Sequence, residues 1–204
     1  MKNCKSMIAA VLVVSMFGAV GAMAQNILTN PGFESGNLAG WSVAGGNFAT
    51  SVTVESPDNG PSLPGTNNAY MVNNGEAIGL TLKQTTASGT AGPGLVTYSF
   101  DLLLDQADVG GVVFVEIFAE GDGVGVVGGS GLLGPFFPFN NWASYVGSFM
   151  APAATDFITM QFVAATGAAT GTNCIVHVDN ASVEVQGVVA DEVASFGGVK
   201  ALYR

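Results

Sequence analysis

Between Val112 and Ala119 the side chains change character at every second position. Val113, Val115 and Ile117 are β-branched, and between them Phe114, Glu116 and Phe118 place a carboxylate between two aromatic rings. In an extended chain, alternate side chains point to opposite faces, so these are two separate sets. If the β-branched set faces a core, two rings and an acid look outward together. Rings that stack on apolar ring faces, next to an acceptor for hydroxyls, carry the chemistry of sugar recognition. Asp101 and Gln161 occupy the polar faces of other alternating segments, and Tyr70 lies in a further one. All three can join the cluster if strand order brings them to the same face. The alternative is a layered protein whose outer faces are both partly covered.

Other residue types offer less. Asp101 and Glu116 would suit glycoside hydrolysis only at a defined separation across a cleft, which sequence does not supply. His177 is the single histidine; it has no partner set nearby in the chain and reads as packing at the end of the last strand. Cys174 reads as a small buried side chain rather than a nucleophile. Gly123, Gly125 and Gly128 satisfy GxGxxG, but no helix follows and no acid is suitably placed, so a dinucleotide site is excluded. Nothing here supports catalysis, and the chain is read as not an enzyme. Asn30-Pro31-Gly32 is a turn by composition, with Pro setting one backbone angle and Gly allowing a positive φ after it. Glu34 beside it is either a solvated acid at a bend or one contributor to an oxygen shell around a hard cation.

A β scaffold has to position these groups. From Asn26 to Gln186 the chain is rich in Gly, Thr and Val and has almost no 3.6-residue periodicity, so it reads as an all-β sandwich or barrel. Asn26 to Trp41 reads as the first strand of the domain. Further strands are expected at Phe48–Glu55, Ala69–Val72, Ile78–Gln84, Val96–Leu104, Val112–Ala119, Ser144–Met150, Phe157–Ala164 and Cys174–Val185. Tyr98, Phe100, Leu102 and Leu104 should face one way, with Ser99, Asp101 and Asp105 facing the other. Ile158, Met160 and Phe162 should likewise face inward. Trp41 and Trp142 read as core anchors. Ser56–Asn68 and Gly121–Asn141 read as long irregular loops. In the second, Phe136, Phe137 and Phe139 either tuck beneath the loop or form a contact patch.

The ends differ from this middle. Lys2 and Lys5 precede an apolar run from Met7 to Val20 and the small-x-small triplet Ala22-Met23-Ala24, so residues 1–24 read as a secretory leader cut before Gln25. The run is too short for a confident membrane-spanning helix, and no membrane insertion is expected. Cleavage removes two basic groups and no acid, taking the formal charge from −10 to −12. That surface repels phosphate backbones, so nucleic acid is not a partner. Cys174 would then be the only cysteine, leaving no internal disulfide. Residues 25–186 form one domain. Residues 187–204 form a tail that is either frayed or a sorting or docking peptide for a protein partner.

The motifs in order suggest a family. NILTNPGFESGNLAGW, then GLTLKQTT, GLVTYSFDLLL, NWASYVGSFMAP and IVHVDNASVEV, resemble the carbohydrate-binding modules appended to cellulases and xylanases, of the calcium-stabilised, galactose-binding-like type. The resemblance covers most of Asn26 to Val185. It implies a jelly-roll β-sandwich whose first and last strands meet. It also implies a structural calcium held by the acid after the GF turn and the acid of the last strand, which are Glu34 and Asp179 here. Asn180 stands where the family often has a second acid. Two functions from different classes follow. One is a secreted, non-catalytic protein that binds a neutral glycan or polysaccharide through Tyr70, Asp101, Phe114, Glu116, Phe118 and Gln161. The other is a structural or adhesive surface protein that uses the jelly roll for protein contacts.

Overall fold

The computed structural model describes residues 25–56 and 67–186. Within them the alternating segments form eleven strands and no helix. One sheet runs β1 (Ser42–Gly45), β4 (Gly79–Thr85), β10 (Phe157–Ala165), β6 (Val112–Gly121), β7 (Gly125–Gly129), with β8 (Leu133–Phe136) also paired to β6. The second runs β2 (Thr50–Glu55), β3 (Asn68–Asn73), β11 (Cys174–Gln186), β5 (Gly94–Gln106), β9 (Ala143–Ala151). All strand pairs are antiparallel. From β3 to β6, and again from β9 to β11, consecutive strands cross between the sheets, as expected for an all-β jelly roll.

The core lies where the two inner faces meet, as alternation requires. Leu82, Val113, Val115, Ile117, Ile158, Met160 and Phe162 come from the six-stranded sheet. Met71, Val96, Phe100, Leu102, Leu104, Val176 and Val178 come from the five-stranded sheet, and all of these side chains are buried. Phe100 and Phe162 meet across the gap edge to face, centroids 5.6 Å apart, the arrangement that ring quadrupoles favour.

Asn26 to Trp41 is not a strand. Its main chain meets β11 through an Asn26–Glu184 bridge, an Ile27 N to Val183 O bond of 2.9 Å and an Ala181 N to Pro31 O bond of 3.0 Å, and it is otherwise a run of turns. Two side-chain amides take over the role of ladder bonds. Asn26 Nδ2 donates to Ala181 O and Asn26 Oδ1 accepts from Val183 N, each at 3.0 Å. Gln84 Oε1 accepts from Thr29 N while Gln84 Nε2 donates to Thr29 O. The positive φ angles in the turn fall on Asn30 and Phe33, not on Gly32. That conformation drives the Phe33 ring into the end of the core against Trp41, centroids 5.3 Å apart. Trp41 is a core anchor, with its indole N–H bonded to Asn30 O. Trp142 is not; it is half-buried on the outer side of the five-stranded sheet.

Gly121–Asn141 is not an irregular loop, since it holds β7 and β8 and then closes on β5 through a Leu104–Phe139 bridge. Its Gly content hid strands that lack the usual branched residues. The three phenylalanines divide: Phe136 packs on Phe100 and Tyr145, while Phe137 and Phe139 are exposed and stacked on each other at 6.4 Å. Most of the Ser56–Asn68 loop, the leader and the tail lie outside the described residues.

Because Phe162 closes the core from one sheet and touches both Phe100 and Trp41, Phe162→Ala should cost about 3–5 kcal/mol in urea unfolding. The fully exposed Phe48 should change stability by less than about 0.5 kcal/mol when replaced by Ala.

Candidate functional site

Antiparallel register brings four of the expected residues together. Phe114, Glu116 and Phe118 sit half-buried on the outer side of β6, because their neighbours Val113, Val115 and Ile117 fill the core. Gln161 of β10 lies directly opposite Glu116, and its Nε2 donates to Glu116 Oε2 at 2.8 Å. The next strand continues this row with Lys83, opposite Gln161, and Ser42 beyond it. A parallel row sets Phe118, Thr159 and Thr85 side by side, and another sets Phe114, Val163 and Thr81. Four residue steps along the strand separate the two rings, roughly 13 Å. The result is a central polar strip of acceptor, amide and ammonium with an aromatic ring on either side. It can take hydroxyl groups along its middle and apolar ring faces at its ends.

The other two expected residues are elsewhere. Tyr70 lies on β3 in the opposite sheet, across from His177. Asp101 lies on β5 across from Asp179 of β11 and is buried rather than exposed on a polar face. Local alternation could not say which sheet each strand joins, so the expected cluster separates.

Asp101 belongs to a corner where β11 meets the N-terminal turn. Asn180 bulges out of β11 with φ 49°, its Nδ2 donating to Asp101 Oδ2 at 2.8 Å and its own N–H to Asp179 Oδ1 at 2.6 Å. Ala181 N donates to Pro31 O, which holds the turn against the strand. A Cβ built on Gly32 would lie 3.5 Å from Asp179 Oδ1, 3.9 Å from Asn180 Oδ1 and 3.8 Å from Glu34 Cγ. Glu34 in turn accepts from Asn67 N at 3.3 Å. The acid after the GF turn and the acid of the last strand are therefore neighbours, 145 positions apart in the chain. Among the described residues no three His, Cys, Asp or Glu side chains are grouped to hold a metal ion. A cation here would need Glu34 and Asp179 together with the Asn180 amide and main-chain oxygens. That all-oxygen donor set fits calcium and does not suit metals that prefer nitrogen or sulfur.

No protein-family model and no curated relative matches the chain. Its fold, however, is found among solved structures. TmCBM61, solved in complex with β-1,4-galactotriose, superposes with TM-score 0.55 at 15% identity over 80% of this chain and 100% of that one. The CBM22-1 xylan-binding domain of Paenibacillus barcinonensis Xyn10C gives 0.52 at 11% identity over 79% and 95%. The structural neighbours are mostly modules of this kind, some of them appended to xylanases. The fold is that of a carbohydrate-binding module. The same fold occurs within larger chains. An enzymatically active domain of bacteriophage CBA120 tailspike protein 4 gives TM-score 0.61 at 14% identity, over 78% of this chain but only 21% of that one.

Sequence reasoning was right about Cys174 and missed the partners of His177. Cys174 is buried beneath β6, its Sγ 3.5 Å from Val112 O, and burial pushes its thiol up to about 12. It stays a protonated, inert core residue. His177 has partners that sequence did not reveal: its Nδ1 meets Asn68 Oδ1 at 2.8 Å and its Nε2 meets Asp105 Oδ2 at 2.9 Å. Those residues lie 109 and 72 positions away, so no spacing rule could reach them. The only available signal was the outward turn of His177 and Asp105 on their strands.

Proposed function

We propose that the protein is a secreted, non-catalytic carbohydrate-binding protein that takes a neutral glycan along the outer side of the six-stranded sheet. The observation that carries this reading is the row Lys83, Gln161, Glu116 with Phe114 and Phe118 on either side of it. Sugar hydroxyls both donate and accept, and this strip offers both roles between apolar surfaces. The distance between the rings exceeds one sugar ring, which favours an oligosaccharide over a monosaccharide. The acidic composition favours neutral over acidic glycans. Support also comes from the neighbours, one bound to galactotriose, one a xylan-binding domain and one complexed with xylohexaose. The leader-like residues 1–24 support secretion, and among the described residues no helix is long and apolar enough to cross a membrane.

The fold's N-terminal corner serves this site by holding the scaffold. In this reading Glu34, Asp179 and Asn180 seat a structural calcium, which fastens the N-terminal turn to β11 and takes no part in sugar contact.

A second reading is a structural or adhesive protein working through protein contacts. The stacked, exposed Phe137 and Phe139 favour it. Self-association at micromolar concentration in sedimentation, lost in a Phe137→Ser, Phe139→Ser variant, would support it over the glycan reading.

Replacing Phe114 or Phe118 by Ala should weaken retention on xylan and galactan in affinity electrophoresis by about tenfold each, ~1.4 kcal/mol. A folded double variant that migrates like wild type refutes the site. Calcium at about a hundred times its Kd should raise Tm by roughly 5–10 °C. Glu34→Gln and Asp179→Asn should remove that gain, and identical melting in calcium and in excess chelator rules the metal out.

A further inference from the structure

A strand at the end of a sheet leaves one row of backbone N–H and C=O groups unpaired, and proteins guard such rows with short length, charge, proline or a bulge. Most end strands here are guarded. β1 is four residues long, and β2 is six and carries Glu55. β7 is five, its pairing with β6 broken by a register shift, and β8 is four and contains Pro135. β9 has none of these guards. It runs nine residues with no charge and no proline, and it pairs with β5 residue for residue from Ala143 to Ala151 without a bulge. Among the described residues, β5 is its only hydrogen-bonded neighbour.

Alternation gives this edge two sides. Tyr145 and Phe149 are half-buried against the core, while Val146 and Met150 point out among Ser144 and Ser148, 81% and 69% exposed. In the middle stands Gly147, where a Cβ would collide with the Tyr98 ring that lies across it from β5. The row is nearly symmetric about that glycine. When two copies of β9 run antiparallel about a two-fold axis through Gly147, Tyr145 of each faces Phe149 of the other, and Val146 faces Ser148. Aromatic pairs across neighbouring strands stabilise a sheet. A strand of another protein would have no need of this symmetry.

Charge points to the same contact. The chain has a formal charge of −10, and the one Lys or Arg among the described residues, Lys83, lies on the six-stranded sheet. Two copies meeting through acidic surface repel each other. Meeting through β9, they bring backbones together with no charged side chain between them.

We propose that β9 docks a second copy of this chain, joining two five-stranded sheets into one continuous sheet. Such an interface is the same patch on both copies, so it closes at a dimer and leaves no free β9 to extend a fibre. With the axis perpendicular to the sheet, both six-stranded outer sides face the same way. If those sides bind glycan as proposed above, one polysaccharide can engage two of them, but the dimer itself does not rest on that reading.

Sedimentation equilibrium of the secreted form, from micromolar to submillimolar concentration, should show a monomer–dimer equilibrium. Added salt should strengthen it by screening the acidic surfaces. Alternate backbone amides of β9 should gain protection from hydrogen exchange as the dimer fills. Val146→Lys with Ser148→Lys sets like charges opposite each other twice, and should weaken the dimer about tenfold or more although it lowers the net negative charge. Both side chains are exposed, so the variant should fold, and its urea unfolding checks this. Val146→Glu with Ser148→Glu should also be monomeric, and mixing the two variants should restore a mixed dimer. Phe137→Ser, Phe139→Ser should leave the dimer intact, which separates this edge from that patch. The proposal is overturned if the chain stays monomeric, the edge then being open only to a strand of another protein. It is equally overturned if the lysine variant still dimerises, or if the two variants do not pair when mixed.

Discussion

Strand β11 lies between β3 and β5 and runs the length of the five-stranded sheet, so its register decides which of its side chains face the core and which face solvent. That register is interrupted between Asp179 and Ser182, where Asn180 takes a left-handed conformation. Asn tolerates this conformation better than most residues. Before the bulge, Val176 and Val178 fill the core while His177 and Asp179 look out; after it, Val183 is again buried. Without the inserted residue, one half of the strand would carry its valines to solvent. The same bulge turns Asn180 towards Asp101 and leaves the Ala181 N–H to meet Pro31 O. The acidic corner and the docking of the N-terminal turn are thus consequences of one backbone irregularity.

The two outer sides that result are chemically unlike. The five-stranded side carries Glu55, Asp101, Asp105, Asp179 and Glu184 along its length, together with the single histidine. The six-stranded side has Glu116 neutralised in part by an amide donor and shares its row with Lys83, the one Lys or Arg among the described residues. Five of the twelve acids among the described residues thus share one face.

The strand ranges from Phe48 onward were legible because each carries a period of two in branched and aromatic residues, and the structure has a strand over each of them. So was the outward set on β6, since its inward set was unmistakably apolar. β1, β7 and β8 were not, because SVAG, GVVGG and LGPF offer too little side chain to show a period. Asn26 to Trp41 misled for the opposite reason: its apolar residues serve turns that plug one end of the sandwich. Sheet membership was the larger gap. Alternation set Asp101 opposite the apolar residues of its own strand, but a strand's own sequence does not say which layer it joins. Trp142 was taken for core because it follows a turn and leads towards a strand, and its loop instead folds back along β5 to bring it to the surface side.

The bridge between Asn26 and Glu184 puts the points where the chain enters and leaves the sandwich next to each other. A partner tethered before Asn26 and one tethered after Gln186 would hang from the same pole. Tension between them would act along a peeling direction. It would load the Asn26 amide clamp first, then Ile27, and only afterwards the long β11–β5 ladder. The sandwich would therefore shed its N-terminal turn under modest force while both sheets stayed whole, making that turn the mechanical fuse of the fold.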